Sequence, residues 1–94
     1  MNKVFKALAD PTRRRILELL RERDLAAGEI SDQFEITKPS MSKHFNVLKE
    51  ADLIQGRRNG TSIVYRLNLS LLEEALLGLL SKFSSTKRKQ HESR

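Results

Sequence analysis

The sequence predicts a mainly α-helical domain of order ααααββα, with one β-hairpin set before its last helix. Three observations predict it. Apolar residues recur at helical spacing from Met1 to about Ala51. The pattern then switches to short β-branched and aromatic runs around Asn59-Gly60. Leucines return at helical spacing from Leu71 to Phe83. With 94 residues, the chain is expected to form one domain over residues 1–83. A domain this small buries a limited share of its surface, so pairing of two copies would help it.

The first helix is expected over Asn2 to Ala9, with Met1, Val4, Phe5 and Leu8 on one face. Asp10-Pro11 then punctuates the chain. Aspartate is a good N-cap and proline is favoured at the first helical position, so a second helix starts at Pro11. Ile16, Leu17, Leu19 and Leu20 give it a wide apolar face, which fades through Arg21 to Asp24. A third, shorter helix is expected from Ala26 to Phe34, with Ile30 and Phe34 inward. Ala26 stands where Ser, Thr or Asp would cap, a loss of roughly 1 kcal/mol, so this end is expected to fray.

Glu35-Ile36 makes a tight connection to a fourth helix. Thr37 caps it, Pro39 lies in its first turn, and it runs to about Ala51. Met41, Phe45 and Leu48 recur at i, i+4 and i+7 as one narrow buried stripe. Pro39, Lys43, Asn46 and Glu50 lie opposite, flanked by Ser42 and Ser40. Two strands follow, within Leu53–Arg58 and Thr61–Leu67. Asn59-Gly60 between them predicts a type I′ turn, which needs positive φ at both central residues. Ser70-Leu71-Leu72-Glu73 reads as a capping box that opens the last helix, Leu71 to about Phe83. Leu72, Ala75, Leu76, Leu79, Leu80 and Phe83 line one face of it, widened by Leu71 and Leu77. Residues 84–94 hold no apolar side chain and read as a disordered basic tail.

Composition excludes several chemistries. There is no cysteine, so disulfides, zinc-thiolate sites and a cysteine nucleophile are ruled out. The apolar runs are too short to insert into a membrane. The lysines at Lys3 and Lys6 are not followed by an apolar core, so no secretory signal is expected and the chain reads as cytoplasmic. No carboxylate pair, activated nucleophile or phosphate loop has the partners catalysis needs, so the chain is not expected to be an enzyme or to hold a cofactor. The formal charge is +6. The tail contributes +3, leaving +3 on residues 1–83. This moderate basic bias favours a nucleic-acid partner without requiring one.

The element order carries the mechanism. Helices three and four, joined by a short turn, form a helix-turn-helix, and the hairpin behind them is its wing. A reading helix must be anchored by one apolar stripe while its outer face stays free for a major groove. Met41, Phe45 and Leu48 anchor. Pro39, Ser42, Lys43 and Asn46 can then reach base edges, Ser40 can serve phosphate or base, and Lys38 reaches phosphate. A polar helix face is by itself more often merely solvated; the basic wing behind this one tips the balance. Arg57, Arg58 and Asn59 at the wing tip suit a narrow minor groove, although arginines on a strand edge also serve to block aggregation. His44 flanks the stripe and reads as a partly buried histidine rather than a metal ligand or DNA contact, and His91 lies in the tail. Arg13, Arg14 and Arg15 face three directions. They read as structural, partly paired with Glu18 and Glu22.

Val4, Phe5 and Leu8, with Leu72, Leu76, Leu79, Leu80 and Phe83, offer more apolar surface than one small core can take. Shared between two copies, they would make a symmetric dimer. Its reading helices would lie roughly 34 Å apart, facing an inverted-repeat operator in double-stranded DNA. The same helices suit a winged-helix module that binds another protein. An RNA-binding domain is less well supported, because an exposed aromatic platform is lacking.

The run from Lys6 to Leu20, with Asp10-Pro11-Thr12-Arg13-Arg14-Arg15 at its centre, resembles the opening of the ArsR family of bacterial winged-helix repressors. Ala27-Gly28-Glu29-Ile30, the run Lys38 to Ile54, and the hairpin from Arg57 to Leu67 continue the likeness over about residues 1–83. The chain looks most like the short, cysteine-free SdpR-type autorepressor subgroup. The resemblance implies a homodimeric repressor that binds its operator through the fourth helix and wing, with first and last helices at the interface. Many members release DNA on binding metal, through cysteines near the third helix or Asp and His along the last. Here Leu25 to Glu29 holds no thiol, and the last helix holds no histidine and only the neighbours Glu73 and Glu74 as acids. Metal sensing of those types is therefore expected to be absent. Control would have to come from a regulatory partner protein, expression level or another ligand. Many members also carry histidine where this chain has Lys43, so operator preference is expected to differ.

Overall fold

The computed structural model describes residues 2–84. Its elements are α1 (Asn2–Leu8), α2 (Pro11–Glu22), β1 (Leu25–Ala26), α3 (Ala27–Ser31), α4 (Lys38–Glu50), β2 (Ile54–Asn59), β3 (Ser62–Leu67) and α5 (Leu69–Phe83). The basic tail expected over 84–94 lies, Ser84 apart, outside the described residues. Among the described residues no helix is long and apolar enough to cross a membrane.

α1 and α2 meet at a corner built from polar atoms. Asp10 Oδ2 accepts from the backbone N–H of Thr12 at 2.8 Å and of Arg13 at 3.1 Å, and Pro11 occupies the first turn. The arginines close the other side of the corner. Arg13 donates to the carbonyls of Ala7 and Lys6, and Arg14 donates to that of Leu8. The carbonyls of Ala7 and Leu8 are orphan acceptors at the end of α1, which a helix cannot satisfy itself, while that of Lys6 also accepts from the Ala9 N–H at 3.2 Å. The arginine cluster is thus structural, as its sequence suggested, but through α1 carbonyls as much as through acids. Of the expected acidic partners, Glu18 takes Arg15 at 3.0 Å, while Glu22 lies 3.6 Å from Arg21.

The third helix departs from its expected bounds at both ends. Leu25 and Ala26 form a strand, paired with Tyr65 and Val64 of β3, so the sheet has three strands in the order β1-β3-β2. The N-terminus expected to fray is instead held by this pairing. It is also held by the Glu29 carboxylate, which accepts from the Ala26 N–H at 2.8 Å. The helix then stops at Ser31. Gln33 and Phe34 continue as tight turns, bonding back to Ile30 and Ser31, with Phe34 and Ile36 packed on the core.

α4 ends in a Schellman turn. Leu53 N–H bonds to Leu48 O at 3.0 Å and Asp52 N–H to Lys49 O at 2.9 Å, with Asp52 at φ 61°. Leu48 and Leu53, both fully buried, pack inside this turn. The hairpin turn lies one residue later than expected. Asn59 pairs with Ser62 as part of the ladder, leaving Gly60-Thr61 as the loop, and only Gly60 has positive φ, at 65°. Glycine in the first central position is the pattern of a type II′ turn, not the type I′ turn expected from Asn59-Gly60. The cap of α5 is also displaced. Asn68, not Ser70, accepts from the Leu71 N–H, at 3.4 Å, and Ser70 lies inside the helix.

The core gathers Ile16, Leu17 and Leu20 of α2, Ile30 of α3, Met41, Phe45 and Leu48 of α4, and Leu53, Ile54 and Tyr65 around the sheet. Val4 and Ala7 close it from α1, and Ala75 from α5.

The Asp10 cap gives a prediction with a pH sign. Partial burial pushes the carboxyl up. The Arg13 N–H, the charge His44 carries when protonated, the Thr12 N–H and the charge of Arg13 together outweigh it, so the net shift is downward. A folded value below the unfolded one, about 3.9, means that the contribution is full above that pH and is lost as pH falls through the folded value. Asp10→Ala is expected to lower stability by about 1 kcal/mol at pH 7. In denaturant melts the gap from the parent should close on acidification below about pH 4.

Candidate nucleic-acid interface

α4 divides along its length as the stripe requires. Met41, Phe45 and Leu48 are buried, while Lys38, Pro39, Ser42, Lys43 and Asn46 are exposed. Thr37 Oγ1 caps the helix, accepting from the Ser40 N–H at 3.3 Å and donating to Ser40 Oγ at 3.1 Å. Ser40 is therefore half-buried and engaged in the cap. The first turn has fewer free N–H groups than a helix start usually offers. Pro39 has none, that of Ser40 is capped, and that of Met41 bonds to Thr37 O. Lys38 alone keeps both a free backbone N–H and a charged side chain, the combination that suits an anion at a helix start.

The wing is joined to α4 by an aromatic contact. The rings of Phe45 and Tyr65 lie 5.0 Å apart at an interplanar angle of 33°. Strand alternation then fixes what the wing shows. Ile54, Gly56 and Arg58 share one face with their partners Leu67, Tyr65 and Ile63, whereas Arg57 and Asn59 share the other with Val64 and Ser62. Ile54 and Tyr65 are buried, so Arg58 and the exposed Ile63 extend the core-facing side out to the tip. Arg57 and Asn59, also exposed, point away from it. The two arginines, neighbours in sequence, thus face opposite sides of the hairpin. Gly56 permits this arrangement. A Cβ there would come within 3.0 Å of both Ile63 Cγ2 and Tyr65 Cε1.

His44 is half-buried on the flank of α4, as expected, but it is tied to the α1–α2 corner, which the sequence did not reveal. Its Nδ1 lies 3.2 Å from Arg13 Nη1 and 3.9 Å from Asp10 Oδ2. The available signal was Arg13 itself, set three residues after the cap and therefore beside the chain reversal.

The expected interface residues separate into groups. Val4 is 4% exposed and is placed in the chain's own core instead, because α1 packs it inward against α2 and α4. Phe5, Leu8 and Leu72 are half-buried against that core. Leu76, Leu79, Leu80 and Phe83 are exposed, the last two at 58% and 69%, together with Leu69 and Leu77.

Comparison with known proteins is consistent with this geometry. A family described as a helix-turn-helix domain matches residues 8–57. The transcriptional repressor SdpR of Bacillus subtilis is 48% identical over 86% of this chain and 90% of its own length. The arsenical resistance operon repressor of Staphylococcus xylosus is 33% identical over 78% of this chain and 70% of its own. Among solved structures, the ArsR-family transcriptional regulator RHA00566 superposes with a TM-score of 0.83 at 28% identity, covering 99% of this chain and 97% of that one. The winged helix-turn-helix domain Mb0332 of Mycobacterium bovis, described as homodimeric, matches with a TM-score of 0.70 at 29% identity, over 86% and 77%. The chain belongs to the ArsR family of winged helix-turn-helix transcriptional repressors. It is a transcriptional regulator with a helix-turn-helix DNA-binding domain, not an enzyme. Among the described residues no group of three His, Asp or Glu side chains is close enough to hold a metal ion.

The tight approach at Gly56 can be tested directly. Gly56→Val is expected to displace Tyr65 from Phe45 and cost about 1–3 kcal/mol through overpacking, read as a lower Tm. Gly60→Val, where nothing lies within 4 Å of the added Cβ, should instead register only the strain of positive φ.

Proposed function

We propose that the chain is a sequence-specific, homodimeric repressor of its own or a neighbouring operon. It binds an inverted-repeat operator through α4 and the wing and lacks the metal-sensing sites common in the ArsR family. One observation carries the DNA-binding part. The exposed Lys38, Lys43 and Asn46 of α4 lie away from a buried stripe, and that same stripe holds the wing through Phe45 and Tyr65. On this reading Lys43, Asn46 and Ser42 address base edges and Lys38 and Ser40 address phosphate. Pro39 packs against the groove, Arg58 enters the minor groove, and Arg57 and Asn59 flank it.

The homodimer is supported by the apolar face of α5. Contiguous exposed leucines of this kind mark an interaction surface in a soluble domain. Beside them lies a groove of about 430 Å³ lined by Leu8, Leu17, Leu67, Leu69, Leu72 and Leu76 along with Arg14, Glu18 and Arg21. A second copy places the same face on both sides, as a two-fold interface requires. The likeness to a homodimeric relative points the same way.

A duplex selected by this chain from a random DNA pool is the test of recognition. Affinity for it should fall steeply with salt. Lys43→Ala should weaken binding by about 1–3 kcal/mol, and Arg58→Ala should also lower the salt slope by about one, with thermal melts unchanged. Unchanged affinity in both variants would falsify the assignment. For assembly, Leu76→Glu should convert dimers to monomers in sedimentation at micromolar concentration. A dimer that survives this change puts the interface elsewhere, and a monomeric parent favours a docking face for another protein.

A further inference from the structure

We infer that His44 is a backbone contact to the DNA duplex, and that Arg13, remote from the reading face, is the residue that positions it. The inference rests on the DNA-binding reading above. Arg13 uses all three guanidinium nitrogens. Nε donates to Ala7 O at 2.9 Å, Nη2 to Lys6 O at 3.1 Å, and Nη1 lies 3.2 Å from His44 Nδ1. A guanidinium offers only donors and keeps its charge. Nδ1 must therefore turn a lone pair toward it, which leaves the ring proton on Nε2. Asp10 Oδ2 does not compete for that nitrogen. It stands 3.9 Å away, beyond hydrogen-bond reach, and already accepts from two backbone N–H groups.

Among the described residues no hydrogen-bond or ion-pair partner meets Nε2, and no side-chain nitrogen or oxygen of those residues is buried without one. Nε2 therefore opens to solvent through the 18% of the side chain that is exposed. His44 stands one turn after Ser40 and next to Lys43, on the edge of α4 between the buried stripe and the reading face. When a helix lies in a major groove, its outer face meets base edges and its flanks meet the sugar-phosphate walls. A fixed N–H donor at that edge matches a phosphate oxygen, which only accepts. Arg13 thereby links the α1–α2 corner to the contact itself, since the bond to Nδ1 sets both the tautomer and the direction of the ring. The contact is neutral on the protein side. It releases no counterion, so its loss should change affinity and leave the salt slope in place, unlike loss of the phosphate-facing Lys38.

The experiment uses the full chain and the duplex it selects from a random pool. Nitrogen-15 spectra of the imidazole at neutral pH should show the proton on Nε2, with that signal shifting when duplex is added. Arg13→Ala should mix the tautomers. His44→Gln keeps an outward amide donor and should bind within about threefold of the parent, whereas His44→Leu should bind roughly ten- to a hundredfold more weakly with an unchanged salt slope. A proton on Nδ1, an Nε2 signal indifferent to duplex, or a folded His44→Leu variant binding as tightly as the parent would each overturn the inference. The spectra of the parent decide the matter even if the leucine variant does not fold. Failure of the parent to select any duplex would instead sink the DNA-binding reading.

Discussion

The packing of Phe45 against Tyr65 is the contact on which the candidate DNA-facing surface depends. Phe45 belongs to the stripe that anchors α4, and Tyr65 belongs to the central strand of the sheet, so one aromatic pair sets the wing against the reading helix. Both rings are buried. Their relative position is thus fixed by close packing, which transmits small changes in volume rather than absorbing them. Gly56 is part of the same contact, because its missing side chain is the space into which Tyr65 and Ile63 lean. The wing cannot hinge about this point without opening the core. The exposed residues of α4 and the arginines of β2 therefore act as parts of one rigid surface.

Polar fasteners hold α4 at its other contacts. Toward α1 and α2, Arg13 joins two helix-end carbonyls to the His44 ring. At its C-terminus the Schellman turn is clasped by Asn68. The Asn68 side chain donates to Asp52 O at 3.0 Å and its N–H bonds to Leu53 O at 2.8 Å. Asn68 is also the cap of α5, so a single residue sets the start of α5 against the end of α4. Side chains that recognise a ligand are effective to the extent that their supports are immobile. Here a buried stripe and two hydrogen-bonded corners supply that support.

The parts of this structure legible in the sequence are those set by local rules. Helical periodicity, the Asp10-Pro11 start and the Thr37 cap placed α1, α2 and α4 within a residue or two, and with them the exposed reading face. The misplacements arise where two local solutions compete and a distant partner decides. Asn68 and Ser70 can both cap α5, and the bonds from Asn68 to the end of α4 favour the former. Asn59 suits a tight turn, but its pairing with Ser62 keeps it in the ladder and moves the turn to Gly60. β1 exists only because β3 offers it an edge, and two residues carry no period of their own to reveal that. His44 is the same case at the candidate site. Its meaning lies in Arg13, thirty-one positions earlier.

α5 shows how the sequence divides its apolar surface between folding and association. Ala75 is its buried residue, and Leu71 and Leu72 reach the core beside it. Beyond Ala75 no residue of the helix is buried, yet four of the next eight positions are leucine and Phe83 ends it. Leucines left this exposed among the described residues are costly to keep in water, at about 25 cal/mol per Å² of apolar area. Their retention fits a helix whose first half belongs to the monomer and whose second half belongs to the proposed dimer. Asn68 sits at the root of the first half and is bonded to the end of α4. The spacing of two reading helices in such a dimer would then be set by a short route, from the paired leucines along α5 to the Asn68 clasp and directly into α4.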